Sequence, residues 1–183
     1  MAPAERAFIS IVPTMIHPMD GATPRITATT APIRVRMTAF TFRSSPSLLK
    51  EIIHYFDDFS LEKGGTLLLR QNRIVAFVPL DNISEDPRKS FCFDFDKLNE
   101  VLSQYEDIDG LGIIHSHTLA ENGASGSAPS KEDLEFYESF YHENPSIETL
   151  LFPIVYRAIE GETRIAWYRF LDGKLVPVTV KAE

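Results

Sequence analysis

One cysteine, Cys92, is the whole thiol inventory of these 183 residues. No disulfide can form within the chain, and a cysteine-rich zinc site is excluded. The lack of a disulfide framework fits a reducing, cytoplasmic setting. Positive charge is also scarce: 18 Lys and Arg stand against 26 Asp and Glu, a formal net charge of −8. The basic residues fall in short pairs and never in a cluster, so phosphate backbones are repelled and nucleic acid is not expected as a partner. No apolar run is long enough to span a bilayer, so no membrane association is expected. The apolar stretch Phe8-Ile-Ser-Ile-Val12 is cut short by Pro13 and Pro18, and no small-residue cleavage pattern follows, which argues against a secretory signal.

Core-forming material is plentiful. Hydrophobic residues make up 44% and aromatics 11%, enough for one well-packed domain. Residues 1–36 are rich in Pro, Thr, Ala and Arg without periodicity. They are expected to form a poorly ordered arm, with the domain running over 37–183 and Met37 a plausible second start. Residues 37–43 alternate as a strand does. Ser45-Pro-Ser marks a helix start, and Leu48, Leu49, Ile52, Ile53 and Phe56 follow at helical spacing. Glu62-Lys-Gly-Gly65 leads into an apolar strand at 66–69, Gln71-Asn-Arg turns the chain, and 74–80 returns. After a polar loop, 90–95 reads as a strand with Phe91, Phe93 and Phe95 on one face and Cys92 as a small residue between them. A helix is expected over 96–105, burying Leu98, Val101, Leu102 and Tyr105, then a strand over 111–117. Residues 130–142 read as a helix burying Leu134, Tyr137, Phe140 and Tyr141. Three strands close the chain, at 150–157, 164–171 and 174–180. This order implies a single α/β or α+β domain built on a mixed sheet.

The informative stretch is 112–133, GIIHSHTLAENGASGSAPSKED. His115 and His117 end an apolar run that reads as a strand, and residues i and i+2 of a strand point to one face. Both rings can therefore aim at one point. Zinc accepts imidazole nitrogen and prefers four ligands, so two histidines need a further protein ligand. Asp133, in the first turn of the next helix, can face back and complete the set. One position then stays open to water, the mark of a catalytic site rather than a structural one. Ser130-Lys-Glu-Asp133 equally fits a capping box, in which the serine caps the helix and the acid reaches back. Glu62 is either an exposed loop acid or the base that takes a proton from a metal-activated water. His17, His54 and His142 fit surface or structural roles.

Taken together, Glu62 ahead of Gly-Gly, His115-Ser-His117 and Pro129-Ser130-Lys-Glu-Asp133 resemble the signature of the JAMM/MPN (JAB-domain) zinc metalloproteases. That signature runs Glu, a long gap, His-Ser/Thr-His, a loop, then Ser-x-x-Asp. The resemblance covers roughly residues 41–180 and looks more like the compact prokaryotic JAB proteins than the large eukaryotic subunits. It implies one MPN-type domain, a mixed sheet flanked by helices in the cytidine-deaminase-like manner, with the disordered N-terminal arm outside it. It implies Zn2+ on His115, His117 and Asp133, Glu62 as general acid/base, Ser130 at the oxyanion, and Ser116 supporting the ligands from outside. It implies hydrolysis after the C-terminal glycine of a ubiquitin-like protein, in deconjugation or precursor processing, with the flexible tail bound as an added strand. In bacteria such proteins often accompany ubiquitin-like conjugation systems, including those of anti-phage defence. A peptidase trimming a sulfur-carrier protein and a non-catalytic MPN scaffold are the alternatives. The acidic charge argues against the DNA-repair-associated branch. The pattern departs from the family at Thr118, where proline is usual. It also departs at 118–129, a longer loop of mostly small residues, expected to be mobile, that borders the cleft and leaves substrate choice open.

Overall fold

The computed structural model describes residues 40–183, so the expected arm at 1–36 lies outside the described residues. In chain order the elements are β1 Thr41–Ser44, α1 Pro46–Tyr55, β2 Gly64–Arg70, β3 Arg73–Leu80, α2 Phe95–Ser103, β4 Gly110–Ser116 and α3 Lys131–Glu143. Short strands follow: β5 Thr149–Leu151, β6 Ile154–Arg157, β7 Thr163–Ala166, β8 Tyr168–Leu171, β9 Lys174–Pro177 and β10 Thr179–Ala182. No helix of the described residues is long and apolar enough to cross a membrane.

Local chemistry explains the boundaries. Ser45 caps α1 by accepting from the Leu48 N–H at 3.1 Å, and Pro46 sits at the first turn, where its missing donor costs nothing. Gln71 and Asn72 both take positive φ, 50° and 62°. Two left-handed residues make the tight turn whose twist matches paired antiparallel strands. The strands form one mixed sheet in the order β10-β1-β3-β2-β4-β5-β8-β9, with β6 joining β4 to β7. β9 and β10 lie at opposite ends of that path yet are separated only by Val178, so the sheet curls on itself.

Alternation along the central strands sorts the core into two sides. Leu67 and Leu69 of β2 and Ile114 of β4 pack with Ile52 and Phe56 of the α1 region. Leu68, Leu111 and Ile113 pack on the other side with Leu98 and Leu102 of α2 and Tyr137 and Phe140 of α3. The domain is thus a mixed sheet between α1 on one face and α2 and α3 on the other.

Four expectations are corrected. Residues 90–94 are not a strand: the segment joins no strand of the sheet, and helix begins at Phe95. Its aromatic alternation serves packing instead, with Phe91 against Phe93 at 5.8 Å and Phe93 against Phe95 at 4.9 Å between ring centroids, while Cys92 is exposed. Each of the three long C-terminal strands is two short ones, broken at Phe152-Pro153, Trp167 and Val178: β5 and β6 share β4 but turn to β8 and β7 on the other side, and the halves of the other two strands pair with different neighbours. Pro153 has no N–H to give a ladder, so the first break has a chemical cause. Tyr105 is exposed beyond the end of α2. Leu134 is exposed as well. The inward stripe of α3 is 133, 137, 140 and 144, spaced four, three, four, and Leu134 stands about 100° around the helix from it.

Candidate metal centre

Strand parity decides where the histidines face. Leu111 and Ile113 of β4 point to the α2–α3 side, so His115, two residues on, does too. His115 is almost fully buried. His117 lies one residue past β4, but its N–H still donates to the Val155 carbonyl at 3.2 Å, which extends the strand geometry to it. The two Nε2 atoms are 3.1 Å apart. From the opposite side α3 presents Asp133, with Oδ1 3.2 Å from His115 Nε2 and Oδ2 3.2 Å from His117 Nε2. Among the described residues these three form the one group of His, Cys, Asp and Glu placed to hold a metal ion.

The donor set fits zinc. Bonds of about 2.0–2.1 Å in a tetrahedron place ligand atoms about 3.3–3.4 Å apart, close to the separations found. The tautomer fits as well. His117 Nδ1 lies 3.0 Å from the Gly126 carbonyl, which can only accept, so Nδ1 carries a proton and donates. In the neutral ring Nε2 is then a bare lone pair facing a carboxylate and a second imidazole. Such an arrangement calls for a cation between them or for an extra proton on the ring, and an outer carbonyl of this kind is the usual means of orienting a metal-bound histidine.

The capping box and the candidate ligand set share the Asp133 carboxylate. Ser130 Oγ accepts from the Asp133 N–H at 3.0 Å, and the Ser130 N–H donates to Asp133 Oδ2 at 2.7 Å. Glu62 is brought to the centre by its neighbour. The Lys63 N–H donates to Ser116 Oγ at 3.0 Å and the Ser116 N–H to the Lys63 carbonyl at 2.8 Å. Ser116, fully buried on the opposite face from the histidines, thus clamps the chain beside them. The Glu62 N–H donates to the Pro87 carbonyl at 2.7 Å and its own carbonyl accepts from Asn82 at 2.9 Å. Glu62 is buried, not an exposed loop acid. The structure therefore brings together all six residues singled out in the sequence: Glu62, His115, Ser116, His117, Ser130 and Asp133.

No family model matches the sequence, and no curated protein matches it significantly. Solved structures do match. The solution structure of DSY2949 from Desulfitobacterium hafniense is 14% identical, with a TM-score of 0.57, covering 78% of this chain and 92% of that one. A protein from Salinibacter ruber is 18% identical with a TM-score of 0.47, covering 78% and 92%. AF2198 from Archaeoglobus fulgidus, a JAB1/MPN domain protein, is 17% identical with a TM-score of 0.41, covering 77% and 98%. The likeness to the first concerns the fold alone, and what the site can do rests on its own side chains.

Burial pushes the Glu62 carboxyl above the ordinary range, against the pull of His115 and His117, and Asp133 adds to the rise. A carboxyl so placed holds or releases a proton nearer neutrality than a free one. Burial works against protonation of His117, but the hydrogen bond and charge of Asp133, the charge of Glu62 and the Gly126 carbonyl outweigh it and raise the ring's pKa. Burial works against ionisation of Asp133, but its bonds to the two histidines and the Ser130 N–H hold it far below the usual range.

Sequence reasoning missed the walls. The Phe91 ring lies parallel to that of His115, tilted by 2° at 6.3 Å. It also covers Gly64, where an added Cβ would come within 2.2 Å of it. Tyr137, one turn beyond Asp133 on α3, has its centroid 6.4 Å from that of His115. The first glycine of Gly64-Gly65 was the available signal, since a glycine opposite a ligand strand invites a close neighbour. The loop at 118–129 is tied down rather than loose. Thr118 Oγ1 donates to the Arg88 carbonyl, Ser125 exchanges two bonds with Arg157, Gly126 holds His117, and the Ser127 carbonyl accepts from Tyr168.

Proposed function

We propose that the chain is a zinc-dependent peptidase or isopeptidase of the JAMM type. It would cleave after the C-terminal glycine of a ubiquitin-like protein, in deconjugation or precursor processing. The observation that carries this reading is the convergence of two Nε2 atoms and a carboxylate to 3.1–3.2 Å, with a buried Glu62, its pKa raised by that burial, beside them. His115, His117 and Asp133 would hold the ion. Zinc, when bound there, lowers the pKa of a water and polarises a carbonyl.

The chain's own groups supply the rest. Glu62 takes a proton from the attacking water and returns it to the leaving amine, a cycle favoured by a carboxyl whose pKa is raised toward neutrality. Ser130 Oγ already accepts from the Asp133 N–H, which leaves its own hydroxyl proton free to donate to the oxygen of the tetrahedral intermediate. Phe91 and Tyr137 keep bulk water from the His115 side. The segment at 90–93 has no partner in the sheet and passes beside His115. A substrate tail lying extended along it would pair with the backbone of Phe91 and Phe93, since Ser90 and Cys92 already bond to Asp86, Asn82 and Ile83.

The test is a fusion of a ubiquitin-like protein, with a free diglycine terminus before the cut, incubated with zinc-loaded protein and with Glu62→Gln. Cleavage by the first and not the second, at one zinc per chain, is the expected result. Absence of stoichiometric zinc would point to a binding scaffold instead.

A further inference from the structure

Beside the metal centre lies a cleft of about 520 Å³ lined by 57–60, Arg88, Thr118, Leu119 and Arg157, a size typical of built binding sites. Its lining residues are chain neighbours of the site and are not the site residues themselves. Thr118 and Leu119 follow His117, Ser60 precedes Glu62 by two residues, and Thr118 Oγ1 is bonded to the Arg88 carbonyl at 2.9 Å. The Arg157 guanidinium lies over the buried Phe59 ring, 5.0 Å from its centroid, and one Nη donates to the Asp57 carbonyl at 3.0 Å. Its Nε is buried with no acceptor among the described residues. Arg88, on the other wall, makes no ion pair within 4 Å among the described residues, because nearby Asp86 is held by Lys89 at 2.7 Å. Of the two exposed acids of the cleft, Asp58 pairs with Lys63 at 3.8 Å and Asp57 lies 3.5 Å from the His54 ring, so Arg88, Arg157 and Lys63 face two carboxylates and leave one positive charge over.

We propose that this cleft takes an acidic side chain of the bound peptide, its carboxylate between Arg157 and Arg88 and its stem against Phe59 and Leu119. A guanidinium stacked over an aromatic ring, with one Nη committed to a carbonyl, is well suited to a carboxylate. The peptide nature of the ligand rests on the peptidase reading above; the charge preference does not. The cleft then selects among tails by charge within a few residues of the scissile bond, while the metal centre itself is indifferent to it.

The experiment uses short end-labelled peptides of Gly, Ala and Ser that differ only by Glu or Gln at one position, scanned along the peptide. Binding is read by fluorescence anisotropy on zinc-loaded Glu62→Gln protein, and cleavage on wild type. At one position Glu should bind about tenfold more tightly than Gln, about 1.4 kcal/mol, and the gain should shrink with salt. Arg157→Met, which keeps the apolar stack, should abolish the difference. Arg88→Met, on an exposed wall where folding is not at stake, should reduce it. In cleavage the preference should fall in KM and leave kcat unchanged. Equal binding at every position, no binding of either peptide, or a preference that survives both variants overturns the proposal, whether or not cleavage occurs. A Glu preference in binding with no cleavage by wild type would instead overturn the peptidase reading and leave the cleft standing.

Discussion

Gly64 offers a direct test of how the site is walled. Its register partner on β4 is His115, and a Cβ there would stand 2.2, 2.3 and 2.6 Å from three carbons of the Phe91 ring. Contacts so short cannot be relaxed in place, so Gly64→Ala must push the ring off both Gly64 and His115. Overpacking of this kind costs about 1–3 kcal/mol, which for a domain of this size lowers Tm by about 4 °C per kcal/mol. A thermal melt of the metal-free protein should therefore fall by about 4–12 °C. Zinc affinity should weaken as well, since His115 loses the ring that fixes its plane, and loss of a supporting partner typically costs about 10–100-fold. The decisive measurement is a double-mutant cycle with Phe91→Ala. Once the ring is gone the alanine methyl has room, so Gly64→Ala should cost less than about 0.5 kcal/mol in that background. An equal cost in both backgrounds would refute the reasoning, because the strain would then have nothing to do with Phe91.

Other expectations follow from the same geometry. Glu62→Gln should retain zinc by direct metal assay yet lose about 100- to 10,000-fold in cleavage rate. Burial raises the Glu62 pKa in the folded state, so ionising it works against folding. Stability tied to this group is present below its unfolded pKa and lost as pH rises through the folded value. Glu62→Gln should therefore raise the Tm of metal-free protein at neutral pH and leave it unchanged near pH 4, as melts at the two pH values would show. Zinc needs His117 unprotonated, and that ring's pKa is raised, so calorimetric affinity should fall about tenfold per pH unit below the ring's pKa for each proton displaced; a flat profile would remove His117 from the ligand set. The Tyr137 hydroxyl is buried with no partner among the described residues, which costs about 1–3 kcal/mol. Tyr137→Phe should thus be neutral or stabilising in a denaturant melt of the metal-free protein, and a loss above about 1 kcal/mol would reveal a hydrogen bond.

The sequence was clearest where one residue type admits one local solution. Ser45-Pro46 could only begin a helix cleanly, and Gln71-Asn72 marked a turn whose two positive φ angles few residues accept. His115 and His117 were placed on one face by strand period alone. The misreadings share a physical origin. Phe91, Phe93 and Phe95 alternate as in a strand, yet the pattern reports which side chains are buried, not whether a neighbouring strand is there to pair with. Leu134 was counted into the core because it is apolar, whereas the inward stripe of α3 begins at Asp133. A charged residue at the head of a buried stripe is the sign of a site, and apolar counting passes over it. The break at Trp167 carries no glycine or proline, because it follows from the sheet curling back on itself, which only tertiary pairing determines, whereas the break at Val178 directly follows Pro177.

Asp133 also shows that the ordinary and the functional readings of a motif need not compete. A helix start leaves backbone donors unsatisfied, and the capping box answers them with a serine and an acid three residues on. Here the Ser130 N–H that fills one role of the box fixes Asp133 Oδ2 at 2.7 Å, and that same oxygen stands 3.2 Å from His117 Nε2. The cap therefore sets the rotamer of the candidate ligand by itself. Because the acid is the third residue of α3, it also opens the stripe that continues inward through Tyr137 and Phe140. Packing of the helix against the sheet and delivery of a carboxylate to the strand-end histidines are then one event. The position of the candidate metal centre is a consequence of where α3 starts, which is why three candidate ligands from two elements can be held to within 3.2 Å by a fold so sparing in disulfides and charge clusters.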